Sequence, residues 1–333
     1  MIRHVYASVK EVEFMQIFIV ALVISLVVSL GIYPLVIPFL HKIKFGQSIR
    51  QDGPQSHLKK TGTPTMGGFV FVLVPIIVLA ILMPQALLDT KIQIVIISYV
   101  GYSLIGFIDD FLIVVKKNND GLSPSAKFLL QLILAVIIFF MYRNVSSTGI
   151  LIPFTHVEID LGWFYFVLIL IMFTAESNAV NLTDGLDGLS SGCVLIALAP
   201  FILFSILQGE YGLGVFLMAV FGSLLAYLKN NFFPAKIFMG DTGSLALGGL
   251  LAAVAMVLKQ EILLVVIGGI FVLEVLSVII QVTSFKLTGK RVFRMAPLHH
   301  HFELGGMNEK QVVLMFWCIE AVFAIVGYLM GVL

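Results

Sequence analysis

Apolar runs close to the ~20-residue length of a bilayer-spanning helix return ten times along this chain, and little else so narrows what it can fold into. In hydrocarbon every backbone N–H and C=O must be paired within the protein, which leaves helices or a closed barrel. Runs of this length, without strand alternation, read as helices. They lie near residues 14–40, 66–83, 92–115, 127–142, 161–180, 186–207, 211–228, 244–258, 261–285 and 311–333. Composition agrees: 59% of residues are hydrophobic and 12% charged, against about 45–50% and about 25% in soluble domains. The first run begins at Phe14, after Glu11 and Glu13, and exceeds a signal-peptide core. It reads as a membrane span rather than a cleaved leader.

No soluble insertion or internal repeat divides the runs, so residues 1–333 are expected to form one polytopic, all-α membrane domain. Cys193 and Cys318 both fall inside apolar runs, where a free cysteine behaves as a small hydrophobe. The loop 143–160 alternates weakly and could form a small hairpin.

Lysine and arginine set the orientation. The loops on one side hold 15 of them and the other side holds 5. The rich side is expected to be cytoplasmic, with both termini outside. Five unusual segments share that side: "DGPQSHLKKTGTPTMGG" (52–68), "GFIDDF" (106–111), "NAVNLTDGLDG" (178–188), "NNFFPAKIFMGDTGS" (230–244) and "MAPLHHHFELGG" (295–306). They are scattered over some 250 residues of chain. Their meeting on one face implies a single active-site cleft there.

Asp109 and Asp110 sit at the end of a span, where a buried carboxylate costs roughly 2.5–3.5 kcal/mol on insertion scales and defaults to function. Neighbours on a helix point about 100° apart, so one can meet a ligand while the other supports it. A solvated helix end is the plainer reading, as Lys116 and Lys117 follow. Asp184 and Asp187, like Asn178 and Asn181, are spaced i, i+3 and would share a helix face. An ordinary Asn/Asp/Gly turn is the alternative. Asp241 lies between glycines before an apolar run, suited to Mg²⁺ as a hard oxygen ligand or to capping a helix. Phe238 could stack on a base. His299, His300 and His301 lack zinc spacing and lie near Lys290, Arg291 and Arg294, which suits phosphate contact or proton transfer. The segment 62–68 is not a P-loop but follows Lys59 and Lys60. Lys127 opens the fourth span. Carboxylates, an implied Mg²⁺ and basic groups together make a phosphate-handling site at a membrane face.

These segments, in this order from about Asp52 to Gly306, resemble the phospho-N-acetylmuramoyl-pentapeptide transferases, within the wider superfamily of polyprenyl-phosphate N-acetylhexosamine-1-phosphate transferases. The resemblance implies ten transmembrane helices, a homodimer in the bacterial inner membrane and Mg²⁺ as cofactor. It implies transfer of phospho-MurNAc-pentapeptide from UDP-MurNAc-pentapeptide to undecaprenyl phosphate, giving lipid I and UMP in peptidoglycan synthesis, with no nucleic-acid partner. By position, it makes Asp241 the Mg²⁺ ligand, Asp109 and Asp110 the catalytic pair, and His299, His300 and His301 the catalytic histidine motif. It makes Lys60, Lys127, Asn181, Asp184, Asp187, Asn231 and Phe238 substrate-binding, with Phe238 on the uracil. Direct attack by the lipid phosphate and a covalent aspartyl route both stay open. Other readings are a lipid transporter, whose charges should line the midplane, a UDP-GlcNAc transferase, and a metalloprotease, for which H-E-x-x-H is missing.

Overall fold

The computed structural model describes residues 2–42, 60, 62–116, 121–155 and 157–333, with side chains described from Met15 onward. The stretch 52–59 of the first polar segment, with Lys59, lies outside the described residues, as does Lys117.

The protein is an all-α integral membrane bundle. Its helices are α1 (Ile2–Lys42), α2 (Gly68–Leu82), α3 (Thr90–Lys116), α4 (Pro124–Arg143), α5 (Phe164–Thr183), α6 (Leu189–Leu207), α7 (Tyr211–Asn231), α8 (Gly240–Val257), α9 (Glu261–Ile267), α10 (Gly269–Thr288), α11 (Leu298–Glu303) and α12 (Glu309–Val332). Nine of the described helices are long and apolar enough to cross a membrane. The second apolar run folds as α2, only 15 residues long, ending where Pro84 starts a 3-10 turn. The ninth run is not one helix: it breaks at Gly268 into α9 and α10. The weakly alternating loop forms a hairpin of β1 (Gly149–Ile152) against β2 (Val157–Asp160), antiparallel with Gly149 opposite Asp160.

Helix α8 is the axis of the bundle. Every residue from Thr242 to Val257 is buried, the expected fate of a helix that is apolar all round. It packs against α2, α3 and α5, while α7 holds α1, α2 and α6. Small residues make such crowding possible in lipid, where tight backbone approach replaces a hydrophobic drive. Gly248 lies against the Ser177 backbone of α5, and Gly106 of α3 lies against the Asp241 carbonyl, so close that a Cβ on either would collide. The second contact fixes the end of α3 to the start of α8, and the polar site begins there.

Candidate functional site

Helix α8 starts without a cap of its own, since Met239 offers no side-chain acceptor. The first N–H groups of a helix need partners, and Asp110 of α3 supplies them. Its Oδ1 accepts from the Asp241 N–H at 3.1 Å; its Oδ2 accepts from the Thr242 N–H at 2.9 Å and the Thr242 hydroxyl at 2.6 Å. Asp110 is therefore a cap given from one helix to another. Gly240 enters the turn at φ +68 and passes so close to the Asp110 carboxylate that a side chain would strike it.

Asp109 points elsewhere, as its neighbouring position requires. Its Oδ1 accepts from the Leu122 N–H at 2.7 Å and its Oδ2 lies 3.9 Å from the Lys127 ammonium. Lys127 also makes a short ion pair with Asp241 Oδ2. The other Asp241 oxygen accepts from Asn181 Nδ2 at 2.7 Å, and that amide is held by Ser244 Oγ at 2.8 Å. Asp109 and Asp241 thus share one cation, contributed by α4.

The segment that joins α5 to α6 forms the next wall. Asp187 is buried and wholly engaged: Oδ1 takes the Lys60 ammonium at 2.6 Å and Oδ2 the Ala235 N–H at 2.8 Å. Glu309, at the start of α12, accepts from the same Lys60 at 2.5 Å and from the Asp187 N–H at 2.7 Å. Asn231 accepts from the Gly188 N–H at 2.9 Å and donates to the Ile237 carbonyl at 3.0 Å, tying the end of α7 to this segment. Gly188 sits at φ +82, which glycine adopts without strain. Asp184 accepts no hydrogen bond from the described residues and faces the open space. Burial first, then the charges of Asp241, Asp187 and Asp110, push its carboxyl well above the ordinary value, against a weaker pull from Lys60.

These groups surround a cavity of about 800 Å³. Of the residues given catalytic, substrate-binding or metal-binding roles in the sequence, all line it except His299 and His301. The three adjacent histidines separate because α11 turns them to different sides. His300 reaches the cavity, with Nδ1 2.9 Å from Glu303. His299 is buried behind it against Glu274 at 3.1 Å. The His301 Nδ1 accepts from the Arg294 N–H at 3.1 Å, closing the loop before α11. Phe238 lines the cavity, with its backbone pinned to Pro64 and Gly67.

Two contributors were missed in the sequence. Gln131 lines the cavity with a buried amide nitrogen that has no partner among the described residues. Its i+4 spacing from Lys127 on α4 was a usable signal. Glu309 had no such signal, because its partners lie 122 and 249 residues away.

Among the described residues no group of three or more His, Cys, Asp and Glu forms a ready metal cage. The donor set still suits Mg²⁺, which takes one or two carboxylates and completes its shell with water and substrate phosphates. Asp109 and Asp241 already converge on one cation.

A helical membrane bundle with carboxylates, lysines and a histidine around one cavity is of the class that moves phosphate-linked groups at a membrane. The model of glycosyl transferase family 4 matches residues 92–259, which carry Asp109, Asp110, Lys127, the 178–192 segment and Asp241. The chain is 52% identical over 93% of its length to proteins named phospho-N-acetylmuramoyl-pentapeptide-transferase from Bacillus anthracis, Bacillus thuringiensis and Bacillus cereus, covering 96% of each. The chain belongs to the phospho-N-acetylmuramoyl-pentapeptide-transferase family within glycosyl transferase family 4.

Proposed function

We propose that this protein transfers phospho-MurNAc-pentapeptide from UDP-MurNAc-pentapeptide to undecaprenyl phosphate in the bacterial inner membrane, forming lipid I and UMP. An oxygen of the lipid phosphate attacks the β-phosphorus of the nucleotide sugar. The new P–O bond forms as the bond to the bridging oxygen breaks, and that oxygen leaves on UMP. Such a displacement needs mainly positioning and charge stabilisation.

The observation that carries this reading is the shared cation between Asp109 and Asp241 at the start of α8. Five aspartates and two lysines line the cavity, so a diphosphate enters only with added positive charge. Asp241 would hold Mg²⁺, which would neutralise the diphosphate and the leaving group. Lys127 would then be released to a phosphate oxygen. Asp109, with Oδ2 beside Lys127 in the cavity, is the member of the pair fitted to take a proton from the lipid phosphate. Asp110 serves by holding the start of α8. Phe238 would stack on the nucleotide base, and Asp184, which accepts no hydrogen bond from the described residues, would accept from the nucleotide. Lys60 and Asn231 keep the walls in register and reach substrate from them. The cavity faces the cytoplasm and the enzyme works as a homodimer.

The test is purified protein with labelled UDP-MurNAc-pentapeptide, undecaprenyl phosphate and Mg²⁺. UMP and lipid I are expected, and chelation of Mg²⁺ stops both. Product from UDP-GlcNAc alone would reassign the chain to the sister transferases; no product from either would end the proposal.

A further inference from the structure

Helix α10 turns most of its surface outward. Its buried residues are Gly269, Ile270, Phe271, Glu274 and Ser277, a single inward stripe. Glu274 is wholly buried within that stripe, and a carboxylate at such a place is costly unless it has a task. The catalytic reading above leaves it without one.

Its Oε1 is engaged at two points, 3.2 Å from the His299 backbone nitrogen and 3.1 Å from His299 Nδ1. A backbone N–H can only donate, so Oε1 is an acceptor here. Met by Nδ1–H, the same oxygen accepts twice, and in the neutral ring that tautomer carries no proton on Nε2. That Nε2 is buried, has no hydrogen-bond partner among the described residues, and abuts Gly185 so closely that an added Cβ would collide with the ring. His299 is therefore wedged between α10 and the segment carrying Asp184 and Asp187. On its other side it packs on the His300 ring, with centroids 4.2 Å apart, and His300 lines the cavity.

We propose that Glu274 is a positioning residue that acts through His299. By accepting from both its backbone and its Nδ1–H, it fixes the tautomer of His299 and seats α11 against Gly185, so that His300 and Asp184 line one cavity in register. The effect on turnover rests on the proposed function; the effect on the ring does not. At metal sites, losing a carboxylate that orients a ligating histidine costs about 10–100-fold, and a loss of that order is expected here.

The test uses the full chain labelled with ¹⁵N-histidine, in detergent, alongside the transferase assay. One ring protonated on Nδ1 is expected, assigned by its loss in His299→Gln. Glu274→Gln keeps an acceptor oxygen and retains that signal and most of the turnover. Glu274→Leu, of similar bulk but without an acceptor, loses the signal and lowers kcat about 10–100-fold, with a much smaller change in KM for the nucleotide sugar. If Glu274→Leu does not fold, Gly185→Ala crowds the ring from the opposite side. It should lower kcat while the proton stays on Nδ1. The proposal is overturned if Glu274→Leu keeps both the ring signal and kcat, if Glu274→Gln loses as much as Glu274→Leu, or if Gly185→Ala is silent. Should the unaltered chain make no lipid product, the function fails while the ring signals still decide the tautomer.

Discussion

At the residue scale the paired aspartates divide by direction. Asp110 gives both oxygens to the first N–H groups of α8 and to Thr242, whereas Asp109 keeps one oxygen beside Lys127 at the cavity. Replacing them by asparagine should separate chemistry from architecture. Asp109→Asn should retain the melting temperature and lose activity by about 10²–10⁴-fold, the range for removing a positioned base. Asp110→Asn turns an amide donor toward donors already in place. It should lower the melting temperature, by about 1–3 kcal/mol of stability, together with activity. Equal melting temperatures for the two variants would refute the division. The sequence already held half of this, because adjacent helix positions cannot face one ligand together. Which of the two faced inward depended on α8, a contact more than 130 residues away, and no local pattern encodes it.

Asp184 allows a second test. Its carboxyl binds a proton more tightly in the folded protein than in the unfolded chain. That proton favours folding at low pH, and the advantage is lost as pH rises through the raised folded value. At neutral pH the charged form is a cost that an amide avoids. Asp184→Asn should therefore melt higher than the unaltered protein at pH 7–8, by on the order of a few degrees. The gain should shrink as pH falls toward the unfolded carboxylate value of about 4. A gain that grew toward low pH would contradict the assignment. Stability of this kind, gained by removing a charge, marks a group retained for function.

At the scale of elements, the apolar runs were legible because their length and composition leave no alternative in a bilayer. The 143–160 hairpin was legible from its alternation. The break at Gly268 was not: Gly268 and Gly269 sit inside a continuous apolar run, and the reason for the break is distant. Glu320 of α12, wholly buried, accepts from the Ile270 N–H at 3.0 Å and so caps the first turn of α10. The histidine run was likewise legible as a polar feature, while its division into cavity, support and loop roles required α11. The junction of α3 with α8 carries the prediction at this scale. A methyl at Gly106 meets the Asp241 carbonyl and the Thr242 nitrogen, which are backbone and cannot swing aside. Gly106→Ala should cost about 1–3 kcal/mol, as overpacking does. It should also depress activity beyond the loss of folded protein, because it displaces Asp241 from Lys127. Activity per folded molecule, measured from the melting curve, separates the two effects. Normal specific activity would show that the start of α8 tolerates displacement.

At the scale of the whole molecule, the polar residues gather at one end of the bundle and the two ends are chemically unlike. Lys127, near the start of α4, is in the cavity, and Asn144 follows the other end of this 20-residue helix, about 25 Å away at 1.5 Å per residue. The hairpin end is held by Lys259, which donates to the Ser147 and Gly149 carbonyls at 2.6 and 2.8 Å. The proposed cytoplasmic orientation of the cavity end is argued from the uneven distribution of lysine and arginine, 15 to 5, and accessibility in cells tests it. Cys193 is buried and Cys318 exposed, so Cys318→Ala removes the exposed native thiol. On that background, Asn144→Cys should react with a membrane-impermeant maleimide in intact spheroplasts. Lys236→Cys, next to Ala235 whose N–H holds Asp187 in the cavity wall, should react only after the membrane is opened. The reverse pattern would put the cavity outside, where UDP-linked sugars made in the cytosol cannot reach it, and the proposed donor would fail with it.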